Sequence, residues 1–139
     1  MAEYSVISAT IRTIFDAGMI IAQPTLLRFY DGQKVEASQI NNREFVRLNI
    51  IFGQSKQVAM GNSRLVRTVG IASVGIWIPS TTGHGRAYTI ADSIASIWQV
   101  STMSGVIFRA CSLNPVGEDG PWTQFNAVTP FQSDELVTA

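Results

Sequence analysis

The sequence has one cysteine and one histidine. Because Cys111 is alone, an intramolecular disulfide is impossible and so is a metal site made of cysteines. A zinc site would have to combine His84 with carboxylates and a cysteine that is distant in the sequence. The sequence therefore predicts neither a metal site nor a bound cofactor.

Charge is also scarce. Charged residues make up 14% of the chain, against about 25% in a typical soluble domain. Ten Lys and Arg residues balance ten Asp and Glu residues, which argues against a basic nucleic-acid-binding module. The same numbers argue against disorder, which needs low hydrophobicity and high net charge. A surface poor in charge instead favours a protein that is partly buried against partners.

Long apolar runs are missing too. The longest, such as residues 18–22, span about five residues, and a bilayer requires about 20. The N-terminus has no cationic stretch before an apolar one, so it does not resemble a signal peptide. With 139 residues, 46% of them apolar, we expect a single domain, made in the cytoplasm and without a membrane span.

The hydrophobic periodicity predicts two helices and several strands. The helices are expected over 4–17, with Gly18 as the C-terminal stop, and over 85–99. The predicted strands are 24–30, 44–52, 57–60, 64–78, 105–112 and 122–129. Residues 31–43 are interpreted as a polar arm, 114–121 as a turn-rich connection and 132–139 as a flexible tail. The order of a helix, a strand, a three-strand region, a second helix and two strands favours a single α+β domain, with a mixed or antiparallel sheet flanked by the two helices.

The predicted strand over 64–78 is unusually long. Its even-numbered and its odd-numbered residues both include apolar side chains, so both faces of the strand are expected to be covered. One face would pack against the helices, and the other could face a neighbouring subunit. Gly70 and Gly75 are expected to mark bulges or bends.

Residues 83–86, Gly-His-Gly-Arg, precede the second predicted helix. Glycines at a helix N-terminus can expose backbone N–H groups to an anion, and Arg86 could add a positive charge. The run lacks the remaining residues of a phosphate-binding loop, so a plain strand-to-helix turn is the alternative interpretation. Cys111 lies in an apolar pattern and is expected to act as a small hydrophobic residue. We find no catalytic constellation and expect a protein that is not an enzyme.

Arginine accounts for eight of the ten cations. Arginine is favoured at interfaces because its planar group pairs with carboxylates in two-point geometry, although ordinary surface charge remains the alternative. Trp122 follows a Gly-Pro turn and is a candidate interface anchor, whereas Trp77 and Trp98 are expected in the core. The candidate subunit or partner interface residues are Arg47, Arg64, Arg67, Trp122, His84 and Arg86.

The order of these elements, together with several local phrases, resembles the bacteriophage tail terminator, or tail completion, proteins. Four places carry the resemblance, and they cover about three-quarters of the chain. They are Phe45-Val46-Arg47-Leu48-Asn49-Ile50, the strand Arg67–Pro79, Gly83-His84-Gly85-Arg86-Ala87-Tyr88 leading into Ala91-Asp92-Ser93-Ile94, and Gly120-Pro121-Trp122-Thr123-Gln124-Phe125 followed by Val128-Thr129-Pro130-Phe131.

The resemblance implies a structural virion protein at the head-proximal end of the tail, assembled in the host cytoplasm. Such proteins form a ring, commonly a hexamer, that caps the finished tail tube and stops its polymerisation. The ring presents a surface to the head-to-tail connector, and DNA passes through its hole without specific binding. It carries no catalytic residue. The arm at 31–43 and the loops at 53–64 and 79–86 are expected to make the contacts.

Two other classes of function remain open. The chain could be a tube subunit or a head-closure protein, and a tube subunit alone would form long tubes. It could also be a small-ligand-binding domain or an unrecognised enzyme, with a pocket near His84 and Arg86.

Overall fold

The computed structural model describes residues 4–23, 26–30, 44–59, 63–80, 83–100 and 106–138, and its side-chain description leaves out 56–59, 63–64, 100, 119 and 135–138. The polar arm predicted at 31–43 lies outside the described residues. The helices and strands within them are α1 (Tyr4–Ala22), β1 (Leu27–Tyr30), β2 (Phe45–Phe52), β3 (Lys56–Ala59), β4 (Ser63–Pro79), α2 (Gly85–Val100), β5 (Val106–Phe108), β6 (Ser112–Asp119) and β7 (Trp122–Thr138).

The fold is a single α+β domain with a mixed sheet, as predicted. Across the described residues the strand order is β1-β2-β4-β7-β5, with β3 extending the β2 side of β4 and β6 lying beside β7. β1 pairs with β2 in parallel and every other pairing described is antiparallel. The centre of the sheet is the β4–β7 pair, whose register runs from Ser63 opposite Thr138 to Pro79 opposite Trp122.

Both helices pack on one face of the sheet. The even-numbered residues of β4 point to that face, where Ala72, Val74, Ile76 and Ile78 are almost completely buried. The buried stripe of α1 follows helical spacing and consists of Ile7, Ile11, Ile14, Phe15 and Met19. In α2 the corresponding core residues are Ala87, Ile90, Ala91, Ile94, Ile97 and Trp98. The prediction that Trp98 is a core residue is thus confirmed.

Helix α1 is longer than predicted. It runs through Gly18 to Ala22, so Gly18 is not the C-terminal stop. A Cβ atom at this position would lie 2.5 Å from Cγ1 of Ile97. Gly18 is therefore a point of very close approach between α1 and α2, which explains a glycine inside a helix despite its low helix propensity.

The length and hydropathy of α1 also meet the requirement for a helix that crosses a membrane. A core helix of a globular domain can meet the same requirement. Here the buried stripe of α1 packs in the core, and contacts of its polar residues connect α1 to β1. Asp16 forms an ion pair with Arg28 at 3.4 Å, and the guanidinium of Arg12 lies 4.2 Å from the ring centroid of Tyr30.

The C-terminal third of the chain differs from the prediction. The strand expected over 105–112 is the short β5, and most of the expected turn-rich connection is β6. Strand β6 tolerates Pro115 because it lies at an edge of the sheet, where one side of the backbone has no ladder partner within the described sheet. Residues 132–138 are not a flexible tail: they complete β7 and pair with β5 and β4.

Neither Gly70 nor Gly75 forms the expected bulge, because the β4–β7 register continues through both positions without a shift. The β2–β4 register, which ends at Gly70, has no shift either. Each glycine instead makes room for a ring. A Cβ atom on Gly70 would lie 2.6 Å from the Phe131 ring, and one on Gly75 would lie 2.5 Å from the Trp77 ring.

The close approach at Gly18 predicts an unusual double-mutant cycle. Gly18→Ala should reduce the free energy of unfolding by about 1–3 kcal/mol, because the new methyl group must displace Ile97. In an Ile97→Ala background the clash is gone, and the same substitution should increase stability by up to about 1 kcal/mol through helix propensity. Urea unfolding of the four proteins measures both steps. An unchanged effect of Gly18→Ala in the two backgrounds would contradict this contact.

Candidate functional site: the helix-free face of the sheet

The face of the sheet opposite the helices is the candidate functional site, and we call it the helix-free face. It carries the odd-numbered side chains of β2 and β4, as the register of the pair shows: Arg47 lies opposite Gly75, and Ile51 lies opposite Ile71. No helix in the described part of the chain packs on this face. The prediction that β4 is apolar on both faces is confirmed, but only one of those faces is covered by the described helices.

An aromatic cluster occupies one end of the helix-free face. Phe45 lies at its centre and is only 6% exposed. The Trp77 ring stacks on Phe45 with a centroid distance of 4.9 Å, while Phe29 and Trp122 approach Phe45 edge-on at 5.7 and 5.5 Å. Trp77 is half-buried here and was expected in the main core, so that expectation is wrong. Trp122 is half-buried in the same cluster, which agrees with the partly exposed position predicted for it.

The Trp77 ring reaches the position that a side chain at Gly75 would occupy. The absence of a side chain at Gly75 leaves the space that the ring occupies. Packing against Gly75 and stacking on Phe45 together fix the position of the ring. The cluster is consequently an apolar surface made of contacting rings, with the half-buried Arg47 beside it in the register of β2.

A groove of about 510 Å³ crosses the other end of the helix-free face. Its floor includes Ile51, Ile71 and Pro130, which are neighbours in register on β2, β4 and β7. Ile51 is 56% exposed and Ile71 is 37% exposed. The groove is also lined by Arg67 and Arg109, so an apolar floor is combined with guanidinium groups at its border.

Arg67 at this groove is held by a carboxylate from β7. Its Nε and Nη2 donate to the two carboxylate oxygens of Asp134 at 2.8 and 3.1 Å. These hydrogen bonds lower the pKa of Asp134 and raise the pKa of Arg67. The two-point geometry is the strong form of the Arg–carboxylate contact, although the pair is open to solvent and therefore screened.

The three arginines that cluster in the sequence do not form one site. Arg47 and Arg67 both lie on the helix-free face, but Arg47 is opposite Gly75, eight positions along β4 from Arg67. At about 3.3 Å per residue this is a separation of roughly 26 Å. Nε of Arg47 is shielded from solvent and has no hydrogen-bond partner among the described residues. Arg64 lies opposite Val137 in the β4–β7 register, and its side chain is outside the described part.

His84 and Arg86 point to different neighbours. His84 is exposed and meets Phe125 edge-on, with a centroid distance of 5.3 Å. Arg86 donates from Nε to Glu44 at 2.8 Å and from Nη2 to Gln23 at 2.8 Å. Arg86 therefore joins the start of α2 to the end of α1 and to the residue before β2. The carboxylate of Glu44 already neutralises the charge that an anion site would require.

Cys111 is half-buried between β5 and β6 rather than within a strand. It lines a shallow groove beside α2 together with Asp92 and Leu113. Within the described residues, no group of three or more His, Cys, Asp or Glu side chains could hold a metal ion.

The sequence pattern revealed the apolar residues of the helix-free face but missed three features. These are the aromatic cluster around Phe45, the groove over Ile51 and Ile71, and the partner of Arg67. The odd-numbered apolar residues of 65–77 were the signal for the first two. The Arg67–Asp134 pair spans 67 residues, and no local spacing could have indicated it.

Comparison with known proteins supports the fold alone. No protein-family model and no curated protein match this chain, whereas 24 chains of solved structures do. One of these, a protein whose name carries no functional description, has a TM-score of 0.66 and is 16% identical. The match covers 95% of this chain and 96% of that chain.

Removal of the Arg86 side chain should lower the free energy of unfolding and should not change the binding of an anion. Arg86→Ala leaves the half-buried Glu44 carboxylate without its partner, and we expect the free energy of unfolding to fall by about 1–3 kcal/mol. Arg86→Lys keeps the charge but loses the two-way contact with Glu44 and Gln23, so it should recover only part of this loss. Thermal unfolding of all three proteins with and without phosphate measures both effects. Strong stabilisation of the wild type by phosphate would instead favour an anion site.

The Arg67–Asp134 pair predicts a pH dependence of stability. The pKa of Asp134 is lower in the folded chain than in the unfolded chain, so its contribution is fully present above the unfolded pKa. The contribution is lost as the pH falls through the folded pKa. The stability difference between wild type and Asp134→Asn should therefore shrink on acidification and also at high salt. A difference that stays constant from neutral to strongly acidic pH would contradict this role.

Proposed function

We propose that this chain is a tail terminator subunit, which assembles with identical copies into a closed ring on the end of a phage tail tube. In this role the ring caps the tube and stops its polymerisation. Its far side offers a surface to the head-to-tail connector, and DNA passes through its hole. The hexamer is the ring size that the family resemblance favours.

The observation that carries the proposal is the helix-free face. Two helices cover one side of the sheet, while the other side has an aromatic cluster and an apolar groove with Ile51 and Ile71 on its floor. Contiguous apolar surface on a soluble domain is typical of a protein–protein contact. This supports an assembly subunit over a protein that acts alone.

The difference between the two sides of the domain supports a ring. A ring needs a heterologous contact, in which two different surfaces of the same chain meet and the rotation between copies closes. The helix-free face and the part of the helical side formed by α2 differ in shape and in side-chain content, so they provide two such surfaces. Two copies joined through the same face would bury only that face of each copy. They would form a dimer to which no third copy could be added through that face.

The same face would serve a tube subunit or a head-closure protein, so those functions are kept as outcomes of the test. A small-ligand site near His84 has less support, because Arg86 is held by Glu44 and Gln23. The composition is also compatible with the hole of a ring. A chain with zero formal net charge has no excess of cations with which to hold passing DNA.

The proposal predicts a specific effect on assembly. We expect the purified chain to form rings in light scattering and negative-stain images, alone or on the tip of its cognate tail tube, and to limit tube length. Ile51→Arg places a charge on the groove floor and should raise the concentration needed for half-assembly at least tenfold, since an apolar contact cannot solvate the charge. Ile20→Arg is the matched control and should assemble like the wild type, because Ile20 is 55% exposed on α1 and Ile51 is 56% exposed.

The outcomes separate the candidate functions. Open-ended tubes from the chain alone would make it a tube subunit. A monomer that leaves tube growth unchanged would exclude both assembly functions and would favour a small-ligand site near His84. Equal effects of the two isoleucine substitutions would show that the helix-free face is not part of the contact between subunits.

A further inference from the structure

The described charged side chains divide into paired and unpaired groups. Three ion pairs are formed within the described part, by Arg28 with Asp16, Arg67 with Asp134 and Arg86 with Glu44. Arg12 lies over the ring of Tyr30. Besides Arg12, the charged side chains without an ion-pair partner among the described residues are Arg47, Arg109, Asp92 and Glu118.

The two arginines that have neither an ion pair nor a ring contact, Arg47 and Arg109, belong to the helix-free face. Arg47 lies on β2 opposite Gly75, and its Nε is shielded yet lacks a hydrogen-bond partner in the described part. Arg109 follows β5 and donates from Nη2 to the side-chain oxygen of Gln132 at 2.6 Å. Gln132 lies opposite Val69 on this face, and Arg109 lines the apolar groove. The helix-free face therefore has positive charge that no described carboxylate neutralises.

The two unpaired carboxylates belong to the other side of the domain. Asp92 is exposed on α2 and lines the shallow groove between α2 and the start of β6. Glu118 is exposed on β6 and lies opposite Thr123, a buried residue of the helical side. Exposed apolar groups accompany these carboxylates, since Tyr88 and Val116 are both about half exposed. The α2–β6 side, as we call this surface, is thus apolar and negatively charged.

We propose that the helix-free face of one copy of this chain packs against the α2–β6 side of the next copy, with Arg47 and Arg109 facing Asp92 and Glu118. This inference rests on the proposed function and names the two surfaces of its ring. The argument is charge complementarity: one chain carries both members of a matching pair of surfaces, on opposite sides. Such matching selects this front-to-back contact over face-to-face contact, which would bring the arginines of two copies towards one another.

Charge reversal tests the contact directly. Arg47→Glu and Asp92→Arg should each raise the concentration for half-assembly at least tenfold, because each places like charges across every contact. Light scattering measures this concentration for each variant alone. Arg12→Glu makes the same charge change on α1, outside both surfaces, and should assemble like the wild type.

Mixing the two variants in equal amounts should restore assembly. In a ring where they alternate, half of the contacts join the introduced glutamate to the introduced arginine, and the other half join the native Arg47 to the native Asp92. Every contact then has opposite charges across it. Light scattering of the mixture shows the recovery, and negative-stain images show whether the recovered particles are rings.

A second pair keeps the test decisive if one variant is unstable. Thermal unfolding first shows whether each variant is folded, and Arg109→Glu mixed with Glu118→Arg provides the independent repeat. Folded variants that assemble as well as the wild type, or mixtures that do not recover assembly, would overturn this contact. If the wild type still forms rings, the proposed function is not affected by that result. A wild-type chain that neither forms rings nor caps a tube would overturn the proposed function and this contact with it.

Discussion

The pairing of β4 with β7 is the constraint on which the rest of the structure depends. It continues from Ser63 opposite Thr138 to Pro79 opposite Trp122, and at about 3.3 Å per residue the strands extend roughly 55 Å. The 19 residues of α1 extend roughly 28 Å at about 1.5 Å per residue. Two helices that lie on one side cannot cover a pair of strands that is nearly twice as long and has a second face. An uncovered surface is therefore built into the described part of the fold.

The elements with strong periodicity could be predicted from the sequence, because each has one buried face. The alternation of β4 and the stripes of both helices reflect that burial. The errors concern positions that depend on distant contacts. Gly18 is compatible with a helix end until Ile97 of the other helix is placed against it. Strand β6 contains Pro115, which is permitted by the edge position of the strand and by the register shift beside it. Residues 132–138 form a strand because they pair with β4, far earlier in the sequence.

The candidate site was predictable in its composition but not in its arrangement. The excess of arginine and the second apolar face of β4 could both be read from the sequence. The partners of the arginines could not, because Arg67 meets Asp134 and Arg86 meets Glu44 only after the sheet has formed. Nearness in sequence was also misleading: Arg47 and Arg67 cluster in the sequence, yet they lie at different ends of the helix-free face.

The aromatic cluster of the helix-free face limits what can bind at its end of the sheet. The Trp77 ring fills the space beside Gly75 and stacks on Phe45, so the rings of the cluster pack against one another. Aromatic rings with an arginine beside them are typical of the core of a protein interface. A larger side chain at Gly75 would displace the Trp77 ring. In the proposed assembly Gly75 therefore contributes through the shape of the surface, because the ring that covers it is the group that meets the next copy.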